Sequence, residues 1–147
     1  MSKGSRLAAR LAAVQALYQQ EMEATPLAKL LHEFRAHRLG AKIGDITYRE
    51  ADTAFFDDIV QGVDARRAEI DAFIADAVAS SGWTLDRLDR PMRQILRAGG
   101  YELLARPEIA TRSVISNYLD VADAFYDERE RGFANGVLDT MAKAIRG

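Results

Sequence analysis

Apolar residues recur at intervals of three and four along almost the whole chain, and that single regularity restricts it to helical folds. Leu7, Leu11, Val14 and Tyr18 put one apolar face on a first helix. Leu27, Leu30, Leu31 and Phe34 do the same for a second, which Thr25 opens as cap and Pro26 as first helical residue. Gly40 and Gly44 mark a loop. Phe55, Phe56, Ile59, Val60 and Val63 form a third helix, loosened near Gly62; Ile70, Phe73, Ile74, Ala77 and Val78 continue the pattern to Ser80-Ser81-Gly82. Trp83 to Leu88 is a compact connector. Pro91 then falls near a helix start, where its missing N–H costs least. Met92, Ile95, Leu96, Gly99 and Leu103 supply the buried side of that helix, and Pro107 ends it. Val114, Ile115, Tyr118, Leu119, Ala122 and Phe125 fill another stripe. The polar run Asp127 to Arg131 separates it from a last helix carrying Phe133, Val137, Met141 and Ile145. No segment alternates with the period of two that a strand requires. The expected fold class is all-α, with a weak join near residues 80–84 between two packed halves of one domain, about 1–80 and 83–147.

With 147 residues, 48% of them apolar, the chain can bury one adequate core. The absence of cysteine excludes disulfides, thiolate metal sites and a cysteine nucleophile, and fits a reducing cytoplasm. No stretch approaches the roughly 20 apolar residues of a membrane span. A net charge of −2 argues against general polyanion binding, yet the charge is unevenly placed. The first 20 residues hold Lys3, Arg6 and Arg10 and no acid, leaving 17 basic against 22 acidic residues in the remainder. A basic end on an acidic body points to a local anionic partner. An acid-poor, arginine-containing start also fits a removable targeting segment. The pattern running through Tyr18 argues that it belongs to the domain.

Lys3, Arg6 and Arg10 share one side of the first helix, overlapping the edge of its apolar face. The first turns are therefore expected to project past the bundle with their charges off the core. Cations there oppose the helix dipole at a cost of about 0.3–1 kcal/mol each. Stability alone would place acids at these positions. A solvated end is one reading, and contact with phosphates is the other. Tyr18 is either a core tyrosine or a ring on which an unpaired base stacks. Gln15 bonds either a neighbouring helix or a base edge. His32 and His37 are five apart and do not share a face, so they read as surface residues and not as a metal or catalytic pair. Gly99-Gly100 lies within a helical pattern and not after a strand, unlike a cofactor loop. Asn135-Gly136 inside a helix predicts a close helix approach at the glycine and a buried hydrogen bond from the asparagine.

Four blocks, in order, resemble the NusB family. They are Arg10 to Tyr18; Phe56 to Gly62-Val63; Trp83 to Leu88 with Ile95 to Leu103; and Ile115 to Phe125 running into Phe133-Ala134-Asn135-Gly136-Val137-Leu138-Asp139. The resemblance implies a bundle of about seven helices in two packed subdomains. It implies a transcription antitermination factor that binds single-stranded boxA RNA of ribosomal RNA transcripts. It would act with NusE, a small-subunit ribosomal protein, and join NusA, NusG and RNA polymerase in the cytoplasm. Arg6, Arg10 and Tyr18 match RNA-contacting positions, with Lys3 a plausible addition. Phe133 matches the partner-binding side, and Arg129 stands in a loop where an acid is common, which alters partner contacts. The family also includes members that self-associate, so a homodimer is a further expected state.

The chain departs from the family pattern at Leu7 and Ala8, where basic residues occur, and at Ile115-Ser116-Asn117, which lacks the family's glutamate. NusB-like domains also precede some ribosomal RNA cytosine methyltransferases, but those rely on cysteine, so no catalytic residue is expected. No cofactor, metal or membrane partner is expected either. The competing class is a helical adaptor that binds protein without RNA.

Overall fold

A computed structural model describes residues 3–34, 42–43, 46–47 and 52–147. Seven α-helices account for most of them, as the periodicity requires: α1 Lys3–Glu23, α2 Leu27–Glu33, α3 Thr53–Ala65, α4 Arg67–Ala79, α5 Arg90–Ala105, α6 Thr111–Ala122 and α7 Glu128–Arg146. Two short pieces break the all-helical expectation without changing the class. Lys42–Ile43 (β1) pairs antiparallel with Ile46–Thr47 (β2), in the register Lys42 to Thr47 and Ile43 to Ile46. Ile43, Ile46 and Thr47 are β-branched, the residue type that favours strands. His37, Gly40 and Gly44 lie outside the described residues.

The chain divides into two compact units, residues 1–61 and 62–147. The segment near 80–84, expected as a join, falls inside the second unit, because α4 packs with α5 and α7.

In the first unit α1 is not the one-faced helix its spacing suggests. Ala8 to Val14, Ala16 and Leu17 are all at most 3% exposed. No charge stands between Arg10 and Glu21, and alanines fill the sides that the larger residues leave. Phe34 stacks on Phe56 with ring centroids 5.7 Å apart. Pro26 occupies the position just before α2, with Leu27 as first helical residue, one step later than expected; its carbonyl accepts from the Leu30 N–H at 2.9 Å. Asp52 caps α3: its Oδ1 accepts from the Phe55 N–H at 3.0 Å, satisfying a donor with no partner inside the helix.

The second unit begins at Gly62, within α3. That helix continues unbroken to Ala65, and the change of direction comes at Arg66 (φ −114°, ψ 23°). Gly62 serves packing and not a loosened turn, since a Cβ there would lie 2.1 Å from the Tyr101 ring. Gly82 closes α4 with a φ of 77°, a left-handed conformation that glycine adopts without strain. Gly99 and Gly100 let α5 meet Leu138 and Met141 of α7. Polar contacts fix this packing. Arg97 donates from Nε and Nη2 to the two Asp71 carboxylate oxygens at 2.8 and 3.0 Å, joining α5 to α4. The buried Tyr118 hydroxyl donates to Glu102, joining α6 to α5. Arg146 donates to the carbonyls of Leu103, Arg106 and Ile109 at 2.8–2.9 Å, tying α7 to acceptors at and beyond the end of α5.

Candidate nucleic-acid and partner interfaces

The basic end of α1 meets the start of α3 at a single aromatic ring. Phe55, held at the third position of α3 by the Asp52 cap, is 2% exposed. The Arg6 and Arg10 guanidinium carbons lie 4.6 and 4.9 Å from its centroid. Both distances are within the range of cation–π attraction. The Arg6 Nε also stands 4.0 Å from the Asp52 Oδ2.

The two arginines differ in access. Arg10 is only 3% exposed, whereas the Arg6 side chain is 39% exposed. The expectation that both charges stand off the core is therefore corrected. Arg10 is packed into its unit, and Arg6 carries the accessible charge of the pair. The Phe55 ring offers a face to both cations, which offsets part of the cost of burying the Arg10 charge. Nothing is described of the Lys3 side chain.

Tyr18 lies elsewhere on α1. It is half-buried in a small cleft with Gln15, Gln19, Met22 and Phe34, and Gln19 donates to Glu33 at 3.2 Å. Eight residues of helix put it about 12 Å along the axis from Arg10. The structure does not bring Tyr18 into the arginine cluster, and both residues the sequence left ambiguous, Gln15 and Tyr18, line the same cleft. His32 is exposed on α2. Among the described residues no group of three or more histidine, aspartate or glutamate side chains is arranged to hold a metal ion.

In the second unit Phe133 forms part of an open apolar groove. Trp83 is 44% exposed, and its ring meets Phe133 edge-on at 6.2 Å between centroids. Arg87 stands 5.8 Å from the Trp83 ring. Leu88 and Met92 form the buried floor, and Asp89, Arg129 and Glu130 complete a groove of about 580 Å³. Arg129 is exposed in the first turn of α7 and not in a loop, because Asp127 precedes that helix and Glu128 and Glu130 complement its dipole. Arg93 holds the connector in place by donating to the Leu88 carbonyl at 2.9 Å. A second, smaller groove of about 270 Å³, also lined by Phe133, runs past Ser80, Ser81, Gly132, Gly136 and Thr140.

That groove corrects another expectation. Asn135 and Gly136 are exposed, and a Cβ on Gly136 would meet no described atom within 4 Å. The helix-weakening pair therefore sits on an open face of α7 and not at a helix crossing.

Asp89 does not cap α5 with its side chain; it accepts from the Tyr126 hydroxyl at 2.6 Å. Burial, together with this carboxylate, pushes the Tyr126 hydroxyl well above the ordinary tyrosine range. The sequence reading missed Asp52, Phe55, Trp83 and Arg87 as site residues. The signals were an aspartate directly before an apolar helical run, and a lone tryptophan after Ser-Ser-Gly, where a turn leaves little to bury it.

A seven-helix, two-unit fold of this kind, with a cation–aromatic cluster on its first helix and an open aromatic groove, belongs to the helical binding proteins. The NusB family model matches residues 7–143. A transcription antitermination protein NusB from Sphingopyxis alaskensis is 63% identical over 97% of this chain and 95% of its own. The protein of the same description from Novosphingobium aromaticivorans is 60% identical over 99% of this chain and 98% of its own. Among solved structures, NusB of T. maritima matches with a TM-score of 0.75 at 27% identity, covering 94% of this chain and 90% of that one. A chain from a structure of the antitermination factors NusB and NusE in complex with double-stranded RNA shares the fold, with a TM-score of 0.79 at 24% identity over 97% of this chain and 99% of that one. The chain belongs to the NusB family.

Proposed function

We propose that this chain is an RNA-binding transcription antitermination factor. It binds boxA-type RNA of ribosomal RNA transcripts together with NusE, and through that complex joins NusA, NusG and RNA polymerase in the cytoplasm. The observation that carries the reading is identity of 60–63% to curated antitermination proteins over nearly the full chain. Arg6 supplies the accessible phosphate contact, Lys3 a second charge on the same helix side, and Tyr18 a stacking ring further along α1. Arg10 acts from behind Arg6, adding positive potential and sharing the Phe55 ring. Phe133 anchors the protein partner, with Arg129 at the edge of the same groove.

Two or three phosphate contacts give a slope of log K on log salt of about −1.4 to −2 for this chain alone. Binding that shallow is weak, so NusE is needed for useful affinity. A specific observation favours the rival adaptor reading, namely the burial of Arg10, which leaves fewer accessible cations on α1.

One titration separates the two. A short boxA RNA and a scrambled control are tested with the chain alone and with NusE, while the emission of Trp83, the single tryptophan, reports on the groove. The expected results are a boxA preference that sharpens with NusE and a blue shift of Trp83 on NusE binding. Arg6→Glu should lower RNA affinity at least tenfold with NusE binding unchanged. Phe133→Asp should abolish the blue shift, with RNA binding by the chain alone unchanged. NusE binding without RNA discrimination would support the adaptor. A blue shift that depends on chain concentration, without NusE, would assign the groove to a homodimer.

A further inference from the structure

The Arg6 side chain faces two fixed groups, the Phe55 ring and the Asp52 carboxylate. The ring, 4.6 Å away, is enough to set its position. The carboxylate lies at the outer limit for an ion pair, 4.0 Å from Nε. It therefore contributes charge more than orientation. That charge is only 8% exposed at the side chain, so water screens it poorly. Its other oxygen is committed to the α3 cap, so the carboxylate is locked in place and cannot swing away when an anion arrives.

We propose that Asp52 is an internal competitor for phosphate at Arg6, a fixed anion that holds RNA affinity down in the free chain. The inference rests on the RNA-binding reading of α1 and deepens it. A phosphate approaching Arg6 must share the cation with a carboxylate already beside it, and the two anions repel across about 6 Å. In well-screened water that repulsion amounts to about threefold in affinity, and more where the path between the charges excludes solvent.

The test uses the full chain and a single-stranded boxA RNA of about a dozen nucleotides, with affinity measured across a salt series. Asp52→Asn keeps an oxygen able to cap α3 and removes only the charge. Its expected effect is RNA binding about three- to tenfold tighter at low salt, the gain shrinking as salt rises. Asp52→Ser, which also keeps a capping oxygen, should show the same gain and guards against a folding defect peculiar to asparagine. In the Arg6→Gln background the gain should vanish, because the competition is for that cation. Equal or weaker binding by both folded Asp52 variants, with Arg6→Gln still impairing RNA binding, would overturn the competitor role and leave the RNA site standing. Unchanged RNA binding by Arg6→Gln would overturn the site and the competitor together.

Discussion

Asp52 and Asp89 each stand directly before a helix and beside an arginine–aromatic cluster, yet the two clusters are built in opposite senses. In the first unit the aromatic is the buried member: Phe55 is 2% exposed, and two arginines lie over it. In the second the aromatic is the open member: Trp83 is 44% exposed, with one arginine near its ring. Asp52 spends its oxygens on the helix cap and on a cation, whereas Asp89 leaves its helix uncapped and accepts from a tyrosine hydroxyl. A cation over a buried ring leaves charge as the accessible feature, which suits an anion. A cation beside an exposed ring leaves apolar area accessible, which suits a protein side chain. The same residue types thus present two different surfaces according to which member the fold buries.

The sharpest way to break this contrast is to truncate both rings. Phe55→Ala removes a buried aromatic and should lower unfolding free energy by about 3–5 kcal/mol in urea titrations. Trp83→Ala removes a ring already near half in solvent, together with one edge contact, and should cost only about 1 kcal/mol. Equal losses would mean that Trp83 is a core residue of its unit and the groove a packing fault.

Packed and open faces can also be compared within the second unit, using two helical glycines. Alanine gains about 1 kcal/mol over glycine in a helix interior. At Gly62 that gain is opposed by a Cβ 2.1 Å from the rigid Tyr101 ring, an overpacking cost of about 1–3 kcal/mol. Gly62→Ala should therefore lose about 1 kcal/mol net in thermal or urea unfolding. Gly136 has open space, so Gly136→Ala should gain up to about 1 kcal/mol. A gain at both positions would show that the Tyr101 ring moves aside freely.

Helix existence and order were legible because each stripe carries several large apolar residues at the right spacing, as in Val114, Tyr118, Leu119 and Ala122. What was not legible depends on what lies opposite a residue. Periodicity gives α1 one face, but the burial of its alanines depends on neighbours distant in sequence. Gly62 and Gly136 look alike along the chain, yet one faces a tyrosine ring and the other open space. For the site, Arg6 and Arg10 were visible as a charge pattern, but neither their unequal access nor the Phe55 ring they share, some 45 residues on, is written in their spacing. Phe133 could be placed on an apolar stripe, while its exposed neighbour Trp83 carries no periodic signal at all.

The least of the expected effects sharpens the contrast between the two aspartates. With its hydroxyl held above the ordinary range, Tyr126 keeps its proton in the folded chain at a pH where the unfolded chain releases it, above about pH 10. The unfolded state then binds fewer protons, so its contribution to stability is full below that pH and declines as pH rises further. Tyr126→Phe deletes both the hydrogen bond to Asp89 and this titration. It should be slightly less stable than the parent at pH 7, by up to about 1 kcal/mol given the partial exposure of the pair. Urea midpoints of the two proteins should then converge as pH passes 10, because the parent loses what the variant never had. Parallel curves through that range would mean that the Tyr126 proton is not held by the fold. Asp89 would then be an ordinary rim charge of the groove.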